Sequence, residues 1–335
     1  MSSSNRSVFS NPGRRALLAC AVAVFAAAAH GQEGPPYPLP DQPIRIIVPA
    51  TAGGTTDILA RVLARHLSEA WKVPVVIDNK AGAGGVVGAS ALLASRPDGQ
   101  TVMMVPSAFG VRSAIDRALP YDPGRDIAGI GLIARSPSFL VVAPAQKTTT
   151  LAQLIALGKA APGGLNFGSA GVGSTAHLHG AMLARLGGFT ATHIPYRGTP
   201  EAINDVMDGR LSYAFAPAPN VMSLARSGQV LILGSSSPNG ARFVPGTPTL
   251  PQATTPGYDG EDWFGTVVSS KVPKASREKL SRELARILAL PEVRDAFVGA
   301  GAEPVSSTPD QMDTMLRTYI ADTRTLAGEM RITVD

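Results

Sequence analysis

The stretch IRIIVPATAGGTTDILARVLARHL, residues 44 to 67, constrains the fold most: a β-branched run passes through a glycine turn straight into an amphipathic helix. Ile44 to Ala50 reads as a strand. Asp57 to Ala70 reads as a helix with Ile58, Leu59, Val62, Leu63 and Leu67 along one face. The pattern recurs at once, with VPVVIDN leading through KAGAGG to VVGASALLAS, and TVMMVPS following the turn RPDG. Strands that alternate with helices in this way imply βαβ units and a largely parallel sheet, with ligands at the carboxyl ends of the strands.

A second series follows the strand FLVVAPA (139 to 145), in which the helix TTTLAQLIALGKA precedes the strand LNFGSA and the helix STAHLHGAMLARL. The strand ATHIPY, the helix TPEAINDVMDG and the strands LSYAFAPA and VLILGSSS complete it. Beyond it lie two long helical stretches, Lys274 to Ala289 and Thr308 to Met330, expected to pack outside the first series. Two α/β lobes with the chain crossing between them twice is the economical arrangement, and length alone predicts about two domains.

The loop GSAGVGSTAHLHG (168 to 180) opens onto a helix N-terminus, which makes it an anion site in outline. Gly168 and Gly173 have P-loop spacing, but Ser174 stands where the lysine belongs. Gly171, Gly173 and Ala176 match a dinucleotide fingerprint, yet the next acid, Glu201, falls in a different turn. A smaller anion such as a carboxylate remains, beside the plainer reading of a tight turn made of small residues.

The N-terminus bears on compartment. Arg6, Arg14 and Arg15 precede an apolar run from Ala16 to Ala29 and small residues suited to cleavage near Ala29 to Gly31, the pattern of a secretory signal. Cys20, the single cysteine, lies inside that run with nine apolar residues after it, so lipidation there would cut the hydrophobic region in two. A leader over residues 1–31 leaves roughly 300 residues without cysteine, enough to bury a core unaided and without thiol chemistry. The formal charge of +5 includes the three leader arginines, and aromatic residues are 5% of the chain, so nothing points to nucleic acid.

Several phrases occur together and in order: PATAGGTTDILAR, IDNKAGAGGVVGA, SRPDGQT, LNFGSAGVGSTAHL, HIPYRGTPEAINDVMDGRL and WFG. In this combination the chain resembles the Bug family, the periplasmic solute receptors of tripartite tricarboxylate transport systems. It departs at Ala81 and Ala52, where the family usually carries proline, and both changes affect loop stiffness. The resemblance implies an α/β, two-lobed periplasmic binding protein of the type II, Venus-flytrap kind, with a mostly parallel sheet in each lobe and crossing hinge strands. Residues 32–140 would form the first part of lobe 1, 141–240 lobe 2, and 241–335 the return to lobe 1. It further implies a receptor rather than an enzyme, a monomer without cofactor or metal, which holds a small carboxylate between the lobes and hands it to one large and one small permease subunit.

By the same resemblance, Thr51, Ala52, Gly53, Gly54 and Thr55 would bind one carboxylate through backbone and hydroxyl groups, partly by way of water. Asp57 joins them as a candidate, although an acid beside a helix N-terminus is first a cap or dipole partner. Asn79 and Gly82 shape the adjoining loop, and Ser107 offers a hydroxyl after the third strand. From the second lobe come Ser169, Ala170, Gly173, Ser174, Thr175 and His177, then Tyr196 and Gly198, then Ala216 and Pro217. His177 and His179, two apart, point to different helix faces and cannot readily share an ion. Arg197 reads equally as a surface cation, and Asp205 and Asp208 as a solvated face. Two other classes remain: a ligand sensor docking to a membrane signalling protein, and a secreted serine hydrolase. For the latter, FGSAG places Ser169 one residue off a G-x-S-x-G elbow.

Overall fold

The computed structural model describes residues 37–250 and 260–334, so the leader and Cys20 lie outside the described residues. In chain order the first part contains β1 (Ile44–Val48), α1 (Thr55–Trp71), β2 (Val75–Asn79), α2 (Val86–Leu93), β3 (Thr101–Pro106) and α3 (Ser107–Ile115). The long strand β4 (Ile127–Val142) then leads to α4 (Leu151–Ala160), β5 (Leu165–Ser169), α5 (Thr175–Gly187), β6 (Ala191–Pro195) and α6 (Thr199–Met207). β7 (Tyr213–Pro217), α7 (Ala218–Arg226), β8 (Leu231–Ser235) and the single turn α8 (Gly240–Phe243) follow. The chain closes with β9 (Glu261–Ser269), α9 (Lys274–Leu288), α10 (Pro291–Gly299), β10 (Glu303–Pro304) and α11 (Pro309–Glu329).

The strands form two ladders that share β4. Its first part, Ile127 to Pro137, pairs antiparallel with β9, and β9 continues to β3, β1 and β2, the last three mutually parallel. Its second part, Ser138 to Val142, pairs antiparallel with β7 on one side and β8 on the other, and β7 continues in parallel to β5 and β6. Each ladder is thus mixed, three mutually parallel strands running into antiparallel ones at the join, where the resemblance implied a mostly parallel sheet in each lobe. The chain folds as two α/β lobes, and β4 carries it from one lobe to the other at Pro137 and Ser138.

Alternation along the strands fills a core on both faces of each sheet, as a parallel sheet covered by helices requires. Ile46 and Val48 of β1 join Leu59 and Leu63 of α1 and Leu284 of α9, whereas Ile47 joins Phe109 of α3 and Met312 of α11. In β4, Leu140 and Val142 pack with Phe167, and Phe139 and Val141 with Val206 and Val221. Leu178 and Met182 of α5 belong to the cluster with Phe109 and Tyr319, and Arg185 pairs with Glu329 at 2.5 Å, so α5 also binds the two lobes together.

Several elements depart from the sequence reading. The strand expected at 139–145 is the end of a sixteen-residue strand whose earlier part contains Gly129, Gly131 and Pro137. The glycines are required by packing: a Cβ at Gly129 would lie 2.7 Å from the Met312 side chain, and one at Gly131 2.8 Å from the Ser307 carbonyl oxygen. Helix α3 begins at Ser107 with no loop after β3, and α7, α10 and β9 were likewise absent from the reading.

Candidate functional site

The carboxyl ends of β2, β1 and β3 are neighbours in one sheet, so they gather residues 80–85, 49–54 and Ser107 along one rim. The ends of β7, β5 and β6 gather Pro217, 170–174 and 196–198 along another. A Cβ at Gly173 would lie 3.0 Å from Ile115, the last residue of α3, so the second loop packs against the first lobe at the end of that helix away from Ser107. Between them, Asp262 at the start of β9 accepts the Ser107 hydroxyl at 2.8 Å and the Ser138 hydroxyl at 2.9 Å. Ser138 N–H also donates to the Ser236 hydroxyl at 3.0 Å, which ties the start of α3 to both crossing segments.

The first loop is held from behind and left open in front. Thr51, Ala52, Gly53 and Gly54 are exposed, Thr55 is half-buried, and Gly53 turns at φ +86°. Behind them Asp57 is buried, accepting Gly53 N–H and Arg61 Nε at 2.9 Å each on Oδ2 and the Asn79 amide at 2.9 Å on Oδ1. Hydrogen bonding from Arg61 leads in lowering the Asp57 carboxyl to about 2, against its burial and with help from Gly53 and Asn79. Asn79 also donates to Ala50 C=O at 3.1 Å. Asp57 and Asn79, both candidates from sequence, therefore spend their polar groups on loop geometry. The N-cap of α1 is Gly54, with no side-chain cap, and the first-turn N–H groups of this seventeen-residue helix face the exposed loop.

The neighbouring helices share this property. The N-caps of α2 and α3, Gly85 and Pro106, supply no side-chain cap either. Gly82 and Gly84 adopt positive φ in the loop before α2. The capping boxes among the described helices, at α4 and α11, follow β4 and β10 rather than either rim. α9 and α10 also lack side-chain caps, so an uncapped start alone is not distinctive. What sets lobe 1 apart is three of them side by side at the ends of adjacent parallel strands.

The second loop is closed on itself. Ser174 caps α5, accepting His177 N–H at 3.2 Å and donating to Gly171 C=O at 2.8 Å. Ser169, 1% exposed, donates to Gly171 C=O at 3.0 Å, accepts Gly171 N–H at 3.1 Å and meets His193 Nε2 at 2.6 Å. With the proton assigned to His193 Nε2, this serine uses its one donor and both acceptor positions. His177 stacks on His193 with centroids 3.7 Å apart, and its Nδ1 accepts Gly173 N–H at 3.4 Å. Burial pushes both imidazoles down to about 4, for His177 with a further contribution from His193. Ala170 and Thr175 remain accessible, as does the Val172 side chain.

Tyr196 gives its hydroxyl to Asp205 at 2.5 Å, and burial, then that bond, raises it to about 12. Asp205, read as a solvated acid, is thus a partner of Tyr196 and of Arg210. Gly198 is the uncapped N-cap of α6, Ala216 is buried in β7 and Pro217 is half-buried at its end. Arg197 is exposed. His179 turns away from His177 and meets the Phe215 ring edge-on, and no group of three or more metal-ligating side chains occurs among the described residues. The sequence reading missed the His193 stack and the Asp262 serine cluster, which join residues far apart in the chain.

Comparisons with known proteins agree with this architecture. The model of the tripartite tricarboxylate transporter family receptor matches residues 59–331. The chain is 34% identical over 289 residues to protein BugT of Bordetella pertussis, covering 84% of this chain and 86% of that one. Among solved structures, Rpa4515 of R. palustris with adipate is similar at a TM-score of 0.78 and 29% identity, covering 88% of this chain and 99% of that one. The periplasmic binding protein BugD is similar at a TM-score of 0.76 and 25% identity, covering 88% and 99%.

Proposed function

The chain belongs to the tripartite tricarboxylate transporter receptor family, and from that premise we propose that it is a periplasmic receptor for a small mono-, di- or tricarboxylate. The ligand is held between the lobes and delivered to a permease of one large and one small membrane subunit. Residues 1–31 are a signal peptide removed on export, the described residues before the crossing at Pro137 and Ser138 and those from β9 onward build lobe 1, and the segment from Ser138 to Leu250 builds lobe 2. One carboxylate sits on the loop 51–55, where Gly54, Thr55 and their neighbours supply N–H groups at the start of α1. The second lobe completes the site through Ala170, Thr175 and Pro217.

The observation that carries this reading is the open first loop: exposed N–H donors at an uncapped helix start, braced from behind by the buried Asp57. Such donors bind a carboxylate without a formal positive charge. The adipate in the Rpa4515 structure supports the ligand class. The 2.6 Å contact between Ser169 and His193 is what a hydrolase would need. A saturated hydroxyl at 1% exposure favours a structural role instead.

The test is a thermal-shift screen of protein stripped of carried-over ligand by unfolding and refolding. A ligand at a hundred times its Kd stabilises by about 2.7 kcal/mol, so one class of carboxylate shifts the midpoint by several degrees. A refolded protein that responds to none of them contradicts the reading.

A further inference from the structure

At the far end of α3 from Ser107, the last turn of that helix, the segment 116–124 and the end of α11 enclose a cavity of about 850 Å³. Its walls are apolar, with Leu119, Tyr121, Ile320 and Ile332, and its rim carries Arg117, Arg317, Arg324 and Arg331. None of these arginines forms an ion pair with a described carboxylate. Arg112, one turn back on α3, is by contrast matched by Asp116 at 2.7 Å. The two acids on the wall are already engaged: Asp116 by Arg112 and Ala118 N–H, Asp122 by the N–H groups of Gly124 and Arg125.

Two further observations separate this cavity from an ordinary basic surface. Ser113 lines it at 2% exposure with a hydroxyl that has no hydrogen-bond partner, an exception to the rule that buried polar groups are paired. Arg331 stands at φ +54° just beyond α11, a left-handed position where glycine is the usual occupant. Neutralising the carboxyl ends of α3 and α11 accounts for Arg324, which donates to Ala114 C=O at 3.3 Å, and suits Arg117 and Arg331 just past those ends, but not Arg317, whose described partner is the Thr314 hydroxyl at 3.3 Å.

We infer that this cavity is a second binding site, for an organic anion with an apolar body, distinct from the interlobe cleft. Arginine forks recognise the oxyanion group. The cavity is within the ordinary range for organic ligands and far larger than an inorganic ion needs. The apolar walls then receive the rest of the molecule.

The experiment titrates the exported chain with the anionic dye 8-anilinonaphthalene-1-sulfonate at low salt and reads fluorescence. The variant Arg117→Ala/Arg331→Gly removes two rim cations and at position 331 installs the residue its backbone favours. Saturable binding in the wild type, weakened at least about tenfold in the variant at unchanged melting temperature, supports the site. The neutral dye N-phenyl-1-naphthylamine should bind both proteins alike. Absence of saturable binding, equal binding by the variant, or equal loss of the neutral dye would overturn the inference. A loss of anionic dye in the cleft variant Gly54→Asp would overturn it as well, by placing the probe between the lobes. The carboxylate screen run on the rim variant keeps the two sites separable, because its response there depends on the cleft alone.

Discussion

The two glycine loops at the interlobe rims look alike in sequence and differ in what they leave available. TAGGT (51–55) has its bracing on the inside, where Asp57 and Asn79 hold it, and its donors on the outside. GSAGVGS (168–174) turns its serines inward, with Ser169 and Ser174 both bonded to Gly171 and a stacked histidine pair beneath. A loop whose side chains satisfy its own backbone is a wall. One that leaves a helix N-terminus uncapped is a receptor for charge. The more conspicuous motif is thus the more self-contained.

The largest expected effect comes from closing the open loop. Gly54 has extended backbone, and an added Cβ meets nothing nearer than the Thr51 carbonyl oxygen at 3.7 Å, so Gly54→Asp fits and caps α1. It should raise the melting temperature slightly while weakening carboxylate binding about a hundredfold or more, roughly 3 kcal/mol by titration calorimetry. Removing the brace comes next. Asp57→Ala leaves Gly53 N–H and the Asn79 amide without their acceptor and should cost about 2–3 kcal/mol in denaturant unfolding.

Acid should then separate the two loops. The histidines carry pKa values lowered to about 4, so the unfolded chain binds more protons between about 6.5 and 4. Stability therefore falls as pH drops through that window. Asp57 is lowered from 3.8 to about 2, so its contribution is present above its unfolded value and is lost only between those limits. Melting temperature against pH should show two limbs, the upper flattened by His177→Gln/His193→Gln and the lower by Asp57→Asn. A single limb untouched by either change would contradict the assignment. The smallest effect is the mirror of the first: Ser174→Ala removes a cap worth about 1 kcal/mol. Carboxylate affinity should stay within about threefold, since that hydroxyl faces its own helix.

The repeated strand, loop and helix units were legible because burial on one face imposes a period that composition cannot hide. The first part of β4 was not, since Gly129 and Gly131 answer to Met312 and Ser307, about 180 residues later. α3 escaped because no loop residue separates it from β3. In the site, spacing located both loops but not their difference. Whether a serine caps its own helix or faces a ligand depends on a partner such as His193, which lies 24 residues from Ser169. Asp262 left no trace because its meaning arises where Ser107 and Ser138 converge on it.

The most direct measurement follows backbone amide resonances by NMR while the refolded protein is titrated with the acid that gives the largest thermal shift. The account predicts that the N–H signals of Gly54, Thr55 and Thr56 move furthest and saturate with the binding curve, those of Gly171 and Gly173 moving less. The reverse order, or a first loop that does not respond at saturation, would contradict the claim that the open loop holds the carboxylate.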